Sequence, residues 1–223
     1  MYLYHAKVIG SELLEPEMID GQPMARKLYE LRYQGNYIRC EYREPLPELV
    51  STDKCPPVRQ DLKLGTVIAV TLAVTPVVVH KKDMFVHTNR CVIESIENCG
   101  ETDASYVFHE DLDAYFERVY KVKKIEKLTS IHIGKHREMA RAAVFLQDKS
   151  GETVVAQINN SDSCRICDLK PGKVYMFYGD LEPDWGINDL GKPEDTSSFY
   201  ILNFRKLLDQ KAALKVFRNT SKH

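Results

Sequence analysis

The sequence predicts an all-β protein with short helices, made of two tandem five-stranded barrels followed by a C-terminal amphipathic helix. A repeat is the first reason: Met24-Ala25-Arg26 returns as Met139-Ala140-Arg141, and Leu62–Val67 returns as Leu169–Val174. Alternation of apolar and polar residues between turn signals is the second. The repeated segments keep their order at a near-constant shift, which indicates duplicated domains. Two further pairs of landmarks fit the same order: Tyr4-x-x-Lys7 with Tyr120-x-x-Lys123, and Phe85-x-x-x-Asn89 with Phe199-x-x-x-Asn203.

The first copy contains one clear hairpin. Two β-rich segments flank Gln34-Gly35, which is a tight turn signal. In the second arm, Ile38 and Cys40 alternate with Tyr37 and Arg39, so the two pairs are expected on opposite faces. The predicted strands are Leu3–Ile9, Lys27–Tyr33, Asn36–Tyr42, Thr66–Val79 and Met84–Ile96.

The second copy repeats this order and ends in a helix. Its hairpin turns at Gly151, a short helix fits in the following connection, and a polar loop is expected over Glu182–Thr196. Apolar residues at helical spacing predict an amphipathic helix over 206–217. The remaining predicted strands are Tyr120–Ile125, Lys173–Leu181 and Phe199–Phe204.

Charge is unevenly distributed along a chain whose formal net charge is only −1. Residues 1–100 carry 12 Lys and Arg against 13 Asp and Glu, and residues 101–117 carry none against 6. Residues 118–223 carry 19 against 13, so a polyanion is expected to prefer the second copy. The predicted domains are a first barrel (1–100), an acidic linker (101–117), a second barrel (118–205), and a helix and tail (206–223).

Composition argues against several classes of protein. No apolar run approaches the ~18 residues of a membrane span, and the N-terminus lacks the plan of a signal peptide. No membrane partner is therefore expected. The six cysteines are too few and too irregular for a disulfide framework, so they are expected to be reduced thiols in the cytosol or nucleus.

Catalytic and metal-binding patterns find little support. The sequence contains no glycine-rich phosphate loop, no His-Glu-x-x-His and no Gly-x-Ser-x-Gly. Cys164-x-x-Cys167 is half of a zinc site without an evident second half, and His132 and His136 have no third ligand. We therefore expect neither an enzyme nor a bound metal or cofactor.

Aromatic and basic residues support nucleic-acid binding. Single strands are bound by aromatic faces that stack on bases and by a basic groove that follows the phosphates. The tyrosines also have a plainer interpretation as good strand formers, and Trp185 could equally pack over a barrel mouth. The candidates are Arg26, Arg32, Tyr37, Arg39 and Arg43 in the first copy, and Lys149, Lys173, Tyr175, Phe177, Trp185, Arg205 and Lys206 in the second.

A three-strand meander, a connection and two more strands follow the order of the OB-fold barrel, although SH3-like and other small barrels share much of this rhythm. The segment Leu169–Tyr175, followed by an apolar strand, a polar loop and an aromatic strand, resembles OB domains of replication protein A and telomere end-binding proteins. The resemblance implies a non-enzymatic single-stranded DNA-binding protein, with RNA as an alternative ligand. It further implies a nuclear, chromosome-associated complex serving telomere end protection, replication or recombination.

The C-terminal helix then resembles the helix through which replication protein A subunits associate. The apolar residues of this helix need a surface to cover, which is either the chain's own barrel or another subunit. The resemblance favours the subunit and assigns partner binding to Leu207, Leu208, Leu214 and Phe217. The alternative function is an OB-fold interaction scaffold with little affinity for nucleic acid. The near-zero net charge and the acidic linker favour that alternative.

Overall fold

The structure is a computed structural model that describes residues 1–46, 57–82, 84–103, 105–108, 116–133, 137–161 and 164–219. The chain forms two compact units. The first contains Met1–Ala73 and Cys91–Asp113, and the second contains Val74–Arg90 and Ala114–His223. No helix among the described residues is long and apolar enough to cross a membrane.

The first unit is a five-stranded sheet that closes on itself. Its strands are β1 (Tyr2–Ile19), β2 (Gln22–Tyr33), β3 (Asn36–Pro45), the first half of β4 (Thr66–Lys81) and the second half of β5 (Met84–Glu101). Strand β1 pairs with β2 on one side and with β4 on the other, β2 pairs with β3, and β3 runs parallel to β5. A pairing of β5 with β4 completes the barrel. Its core includes Leu3, Leu31, Ile38, Ile68 and Leu72.

The second unit repeats this order. Its strands are β6 (Phe116–Ile133), β7 (Arg137–Gln147), β8 (Thr153–Asn159), β9 (Val174–Ile187) and β10 (Pro193–Lys206), with a short 3-10 helix at Ile166–Asp168 before β9. Strand β6 pairs with β7 and β9, β7 pairs with β8, β8 runs parallel to β10, and β10 returns to β9. Packed aromatic rings fill this barrel: Phe116, Tyr120, Tyr175, Phe177 and Phe199.

The predicted fold class is confirmed, since both units are five-stranded barrels with the OB-like order. The duplication extends to irregularities. Strand β1 has register shifts at Val8/Gly10 and Leu14/Glu17, and β6 has them at Val122/Lys124 and Leu128/Ile131. The hairpins turn at Gly35 and Gly151 as predicted. Bulges at matching places indicate that both first strands bend in the same way.

Two of the repeat landmarks predicted from the sequence pair residues that are not equivalent in the structure. Lys7 and Lys121 are the matching residues at which the first strand changes partners, a shift of 114 rather than 116. Glu41 and Gln157 are equivalent residues of the two copies. Val92 lies opposite Glu41 and Tyr200 lies opposite Gln157, so Val92 is the equivalent of Tyr200. Phe85 is therefore not the equivalent of Phe199.

The second half of β4 and the first half of β5, residues 74–90, belong to the second unit. The predicted boundary had placed all of residues 1–100 in the first barrel. Within that unit, His80 of β4 pairs with Ile187, and Asn89 of β5 pairs with Ser197. The buried amide of Asn89 donates to the carbonyl oxygens of Val155 (2.8 Å) and Ser197 (3.1 Å), and its oxygen accepts from the Val155 N–H (2.8 Å). Residues 74–90 group with the second unit because these pairings and hydrogen bonds join them to β8, β9 and β10.

The polar loop predicted over Glu182–Thr196 is a hairpin instead. Strand β9 continues to Ile187 and β10 begins at Pro193. Asn188 closes the short turn, because its side-chain oxygen accepts from the N–H groups of Leu190 and Lys192, each at 3.0 Å. The loop was predicted from the polar composition of this segment. Polar residues form strands here because β9 and β10 satisfy each other's backbone hydrogen bonds.

The C-terminal helix, α1 (Gln210–Asn219), packs on the barrel of its own unit. Asp209 caps its first turn by accepting from the Ala212 N–H at 2.9 Å, which sets its start later than predicted. The Gln210 side chain bonds both backbone groups of Val174, at 3.0 and 2.7 Å. Phe217 is buried in this contact, which corrects its assignment as a partner-binding residue. Leu207 and Leu214 are half-buried, and Leu208 is fully exposed.

A matched pair of substitutions tests this docking. Phe217→Glu places a charge against the barrel, so we expect a loss of about 1–3 kcal/mol in the free energy of unfolding of the second unit. Leu208→Glu changes an exposed side chain and should cost no more than ~0.5 kcal/mol. Urea unfolding followed by circular dichroism measures both. Equal destabilisation by the two changes would contradict the observed packing.

Candidate nucleic-acid interface

The outer face of the β2–β3 hairpin carries the five candidates of the first unit. The strand register places Arg26 opposite Arg43, Arg32 opposite Tyr37, and Arg39 opposite Glu30. Tyr37 is exposed, and the Arg32 guanidinium lies 5.8 Å from the centre of its ring. The predicted alternation is therefore observed, because Ile38 and Cys40 lie on the opposite, buried face.

Glu41 neutralises two of these arginines. Arg43 makes two bonds to its carboxylate, at 2.9 and 3.0 Å, and Arg26 donates to the same group. Arg26 also lies 3.0 Å from Glu17. Burial acts to raise the pKa of Glu41, but the hydrogen bonds from Arg26 and Arg43 leave that pKa below its ordinary value. The carboxylate competes with a phosphate for both arginines, so this face is a weaker polyanion site than its sequence suggests.

Two candidates of the second unit lie in the core. Tyr175 is buried, and its hydroxyl donates to the Asp168 carbonyl (3.2 Å) and accepts from the Lys170 N–H (3.0 Å). Phe177 is fully buried, with the rings of Tyr175 and Phe204 at 5.9 and 6.1 Å. Neither ring has a face that a base could reach. Both are therefore removed from the candidate interface.

The basic candidates gather at one end of the second unit. Lys121 lies opposite both Gln147 and Val174, so it is close to the β7–β8 turn and to the start of β9. Lys206 lies opposite Tyr175 at the same end. We call the group Lys121, Lys123, Lys149, Lys173 and Lys206 the lysine end; Arg205 precedes it on β10. Its ammonium groups provide the positive field that a phosphate backbone requires.

Trp185 belongs to a second surface, at the hairpin tips of the same unit. It lies on β9 with 59% of its surface exposed. By strand alternation it shares a face with Ile187, whose backbone partner is His80. The His80 ring lies 4.3 Å from the ring of Phe85, which is 67% exposed. We call His80, Phe85 and Trp185 the aromatic face.

Close backbone approach fixes the aromatic face. A Cβ atom at Gly186 would lie 2.6 Å from Val79 Cβ, so only glycine lets β4 and β9 meet here. Asp184 points to the other side, where it pairs with Lys81 and accepts from the Ser198 hydroxyl at 2.8 Å. The Lys81 ammonium offsets the charge of this buried carboxylate, so Asp184 adds little repulsion to a phosphate near Trp185. Asp189 stays exposed, 3.7 Å from His80 Nε2.

The lysine end and the aromatic face lie far apart along β9. Lys173 and Trp185 are separated by 12 residues of nearly continuous strand, which corresponds to a path of about 40 Å at ~3.3 Å per residue. One nucleotide cannot contact both surfaces. The sequence prediction ended this strand at Leu181 and placed Trp185 in a loop, so it did not show this separation.

His80 and Phe85 were missed as site residues. Their segment, His80-Lys-Lys-Asp-Met-Phe85, places aromatic and basic residues around a turn, and that pattern was the available signal. This segment lies beside Trp185 only because β4 pairs with β9, and that pairing joins residues far apart in the sequence.

The cysteines and histidines do not assemble into a metal site within the described part of the chain. No group of three or more His, Cys, Asp or Glu suited to a metal ion occurs among those residues. Cys164 is buried, and burial raises the pKa of its thiol to about 11, whereas Cys167 is exposed. His136 lies outside the described residues.

Comparison with solved structures gives distant likenesses, among them two DNA-bound proteins. A chain of a replication protein A heterotrimer bound to single-stranded DNA matches with 12% identity and a TM-score of 0.28, over 100% of this chain and 53% of that one. This chain thus spans about half the length of that relative. A murine DNA-binding protein bound with double-stranded DNA matches with 13% identity and a TM-score of 0.24, over 91% and 98%. No protein-family model and no curated protein matches the sequence. With scores this low, the fold assignment rests on the strand order and pairing described above.

The Glu41 cluster predicts a pH-dependent stability. A carboxyl whose pKa is lowered by folding contributes stability above its unfolded pKa of about 4.3, and that contribution disappears as the pH falls through the folded pKa. Glu41→Gln should therefore cost about 1–3 kcal/mol near neutral pH, and the difference from the unmodified chain should shrink towards pH ~3. Urea midpoints across this range measure it. A difference that stays constant with pH would assign the effect to packing instead.

Proposed function

We propose that the chain is a non-enzymatic single-stranded DNA-binding protein, with the second unit as its main binding module. The exposed aromatic face carries this proposal. Trp185 and Phe85 each expose more than half of their surface, and a large aromatic ring in water is costly unless a partner covers it. Bases stack on such rings for about 1–3 kcal/mol each.

The lysine end supplies the electrostatic part of the proposal. Its five lysines lie on the copy with the positive net charge, 19 Lys and Arg against 13 Asp and Glu over residues 118–223. A strand that stacks on the aromatic face and continues along the barrel would place its phosphates near the lysines. Contact with two separate surfaces favours a flexible single strand over a short rigid duplex.

The biological setting is part of the proposal. We infer a nuclear, chromosome-associated complex for telomere end protection, replication or recombination. That inference rests on the resemblance of the Leu169–Tyr175 segment to OB domains of such proteins. RNA is the alternative ligand, because stacking and phosphate contacts do not distinguish the two sugars.

An interaction scaffold is the second candidate, and exposed apolar side chains favour it. Leu208 is fully exposed before helix α1, and Val216 is exposed on it. A subunit that covers them would bind beside the helix without displacing Phe217.

Fluorescence anisotropy with a labelled strand of about 20 nucleotides tests the binding proposal. We expect Trp185→Leu to weaken binding about 5- to 150-fold, the equivalent of one stacked base. Trp185→Phe keeps an aromatic face and should lose much less. Leu202→Ala removes an exposed apolar side chain outside both surfaces and serves as the control.

Salt dependence identifies the lysine contribution. Replacing Lys173 and Lys206 with Gln should reduce the slope of log affinity against log salt by about 1.4 if each contacts one phosphate. Parallel titrations with DNA, RNA and duplex identify the ligand. No binding of any strand at about 50 mM salt, or equal affinity of the unmodified chain and Trp185→Leu, would reject the proposed function.

A further inference from the structure

A strained bulge in β1 exposes two consecutive aromatic rings on the first unit. Between Leu3 and Ala6 the pairing of β1 with β4 shifts register, so that β1 has one extra residue. His5 lies in this bulge with a φ of 63°, a left-handed conformation that is costly for a residue other than glycine. The rings of Tyr4 and His5 stack at 4.0 Å with an interplanar angle of 21°. An ordinary strand would direct these neighbours to opposite faces.

Two more aromatic residues extend the stack. The Phe108 ring lies 6.4 Å from His5 and is nearly parallel to it, and Tyr106 meets Phe108 edge-on at 5.4 Å. Tyr4 is 56% exposed and Tyr106 is 53% exposed. We call Tyr4, His5, Tyr106 and Phe108 the bulge patch. Strain and exposure both cost stability, and a ligand that covers the exposed rings would offset that cost.

The patch already holds a cation of its own chain. The buried ammonium of Lys7 lies 5.5 Å from the centre of the Phe108 ring and 5.9 Å from that of Tyr106. These distances are typical of cation–π contacts. The exposed rings of Tyr4 and Tyr106 offer the same chemistry to a cation from outside.

The charge around the patch favours a basic side chain over a phosphate backbone as the ligand. Asp103 is exposed next to Tyr106, and hydrogen bonds from the Ser105 hydroxyl and N–H lower the pKa of its carboxyl, with a further contribution from Lys7. The described residues just before and around these rings, 101–103 and 105–108, include two carboxylates, Glu101 and Asp103, and no Lys or Arg. A phosphate backbone would be repelled here, and a basic side chain would be attracted.

We propose that the bulge patch binds an arginine-containing segment of a protein partner, through cation–π contacts with the exposed rings and charge attraction to Asp103. Arginine suits the site better than lysine because its planar guanidinium stacks on aromatic faces. This partner site shares no residue with the lysine end or the aromatic face, which lie in the second unit.

The probe is a fluorescein-labelled peptide of about 12 residues that alternates Arg and Gly, titrated against the full chain. A matched peptide with Gln in place of Arg is the ligand control. We expect Tyr4→Ala and Tyr106→Ala each to weaken the Arg peptide about 5-fold, as one cation–π contact requires. Asp103→Asn should weaken it by a similar factor.

His5→Asn separates binding from folding. Asparagine also tolerates the left-handed conformation, so the variant should melt like the unmodified chain while lacking the stacked ring. We expect it to weaken the Arg peptide severalfold. Met18→Ala, at an exposed side chain of the same unit outside the patch, should leave peptide binding unchanged.

Three outcomes would overturn the proposal. The Arg and Gln peptides could bind equally or not at all, or Tyr4→Ala and His5→Asn could keep full peptide affinity. The patch variants could also weaken a single DNA strand and leave the peptide unaffected, which would make the patch part of a nucleic-acid surface. Failure of single-strand binding alone would reject the proposed function and leave the peptide result standing.

Discussion

Closure of each five-stranded sheet on itself is the constraint on which the other features depend. The first strand must pair with the second strand along one part of its length and with the fourth strand along another. Strands β1 and β6 are accordingly 18 residues long, and Lys7 and Lys121 are the residues at which the partner changes. A strand that serves two neighbours has to coil, and the matching bulges in the two copies provide that coiling.

Closure also determines where functional side chains can lie. Aromatic rings fill the second barrel, so Tyr175 and Phe177 stabilise it and are not accessible to a ligand. Trp185 lies on the part of β9 that extends past its pairing with β6, which ends at Gly179. The bulge that bends β1 also presents Tyr4 and His5 together. Both proposed surfaces are thus consequences of how the barrels close.

Local features of the fold could be predicted from sequence, and non-local ones could not. The turns at Gly35 and Gly151 and the alternation of Ile38 and Cys40 with Tyr37 and Arg39 depend on neighbouring residues, and all were predicted. The burial of Tyr175 depends on which face of β9 points inwards. Val174 and Met176 lie on the face opposite Tyr175 and Phe177, so both faces are apolar and the sequence does not identify the inner one. The pairing of His80 with Ile187 joins residues 107 positions apart, and no local pattern encodes it.

The fluorescence of Trp185 tests the central claim most directly, because it is the only tryptophan in the chain. Titration with an unlabelled single strand should quench its emission and shift it to shorter wavelength, since a stacked base would cover a ring that is now largely in water. The change should saturate at the same concentration as binding measured by anisotropy. Binding by anisotropy with unchanged Trp185 emission would show that the strand lies elsewhere and would contradict the claim.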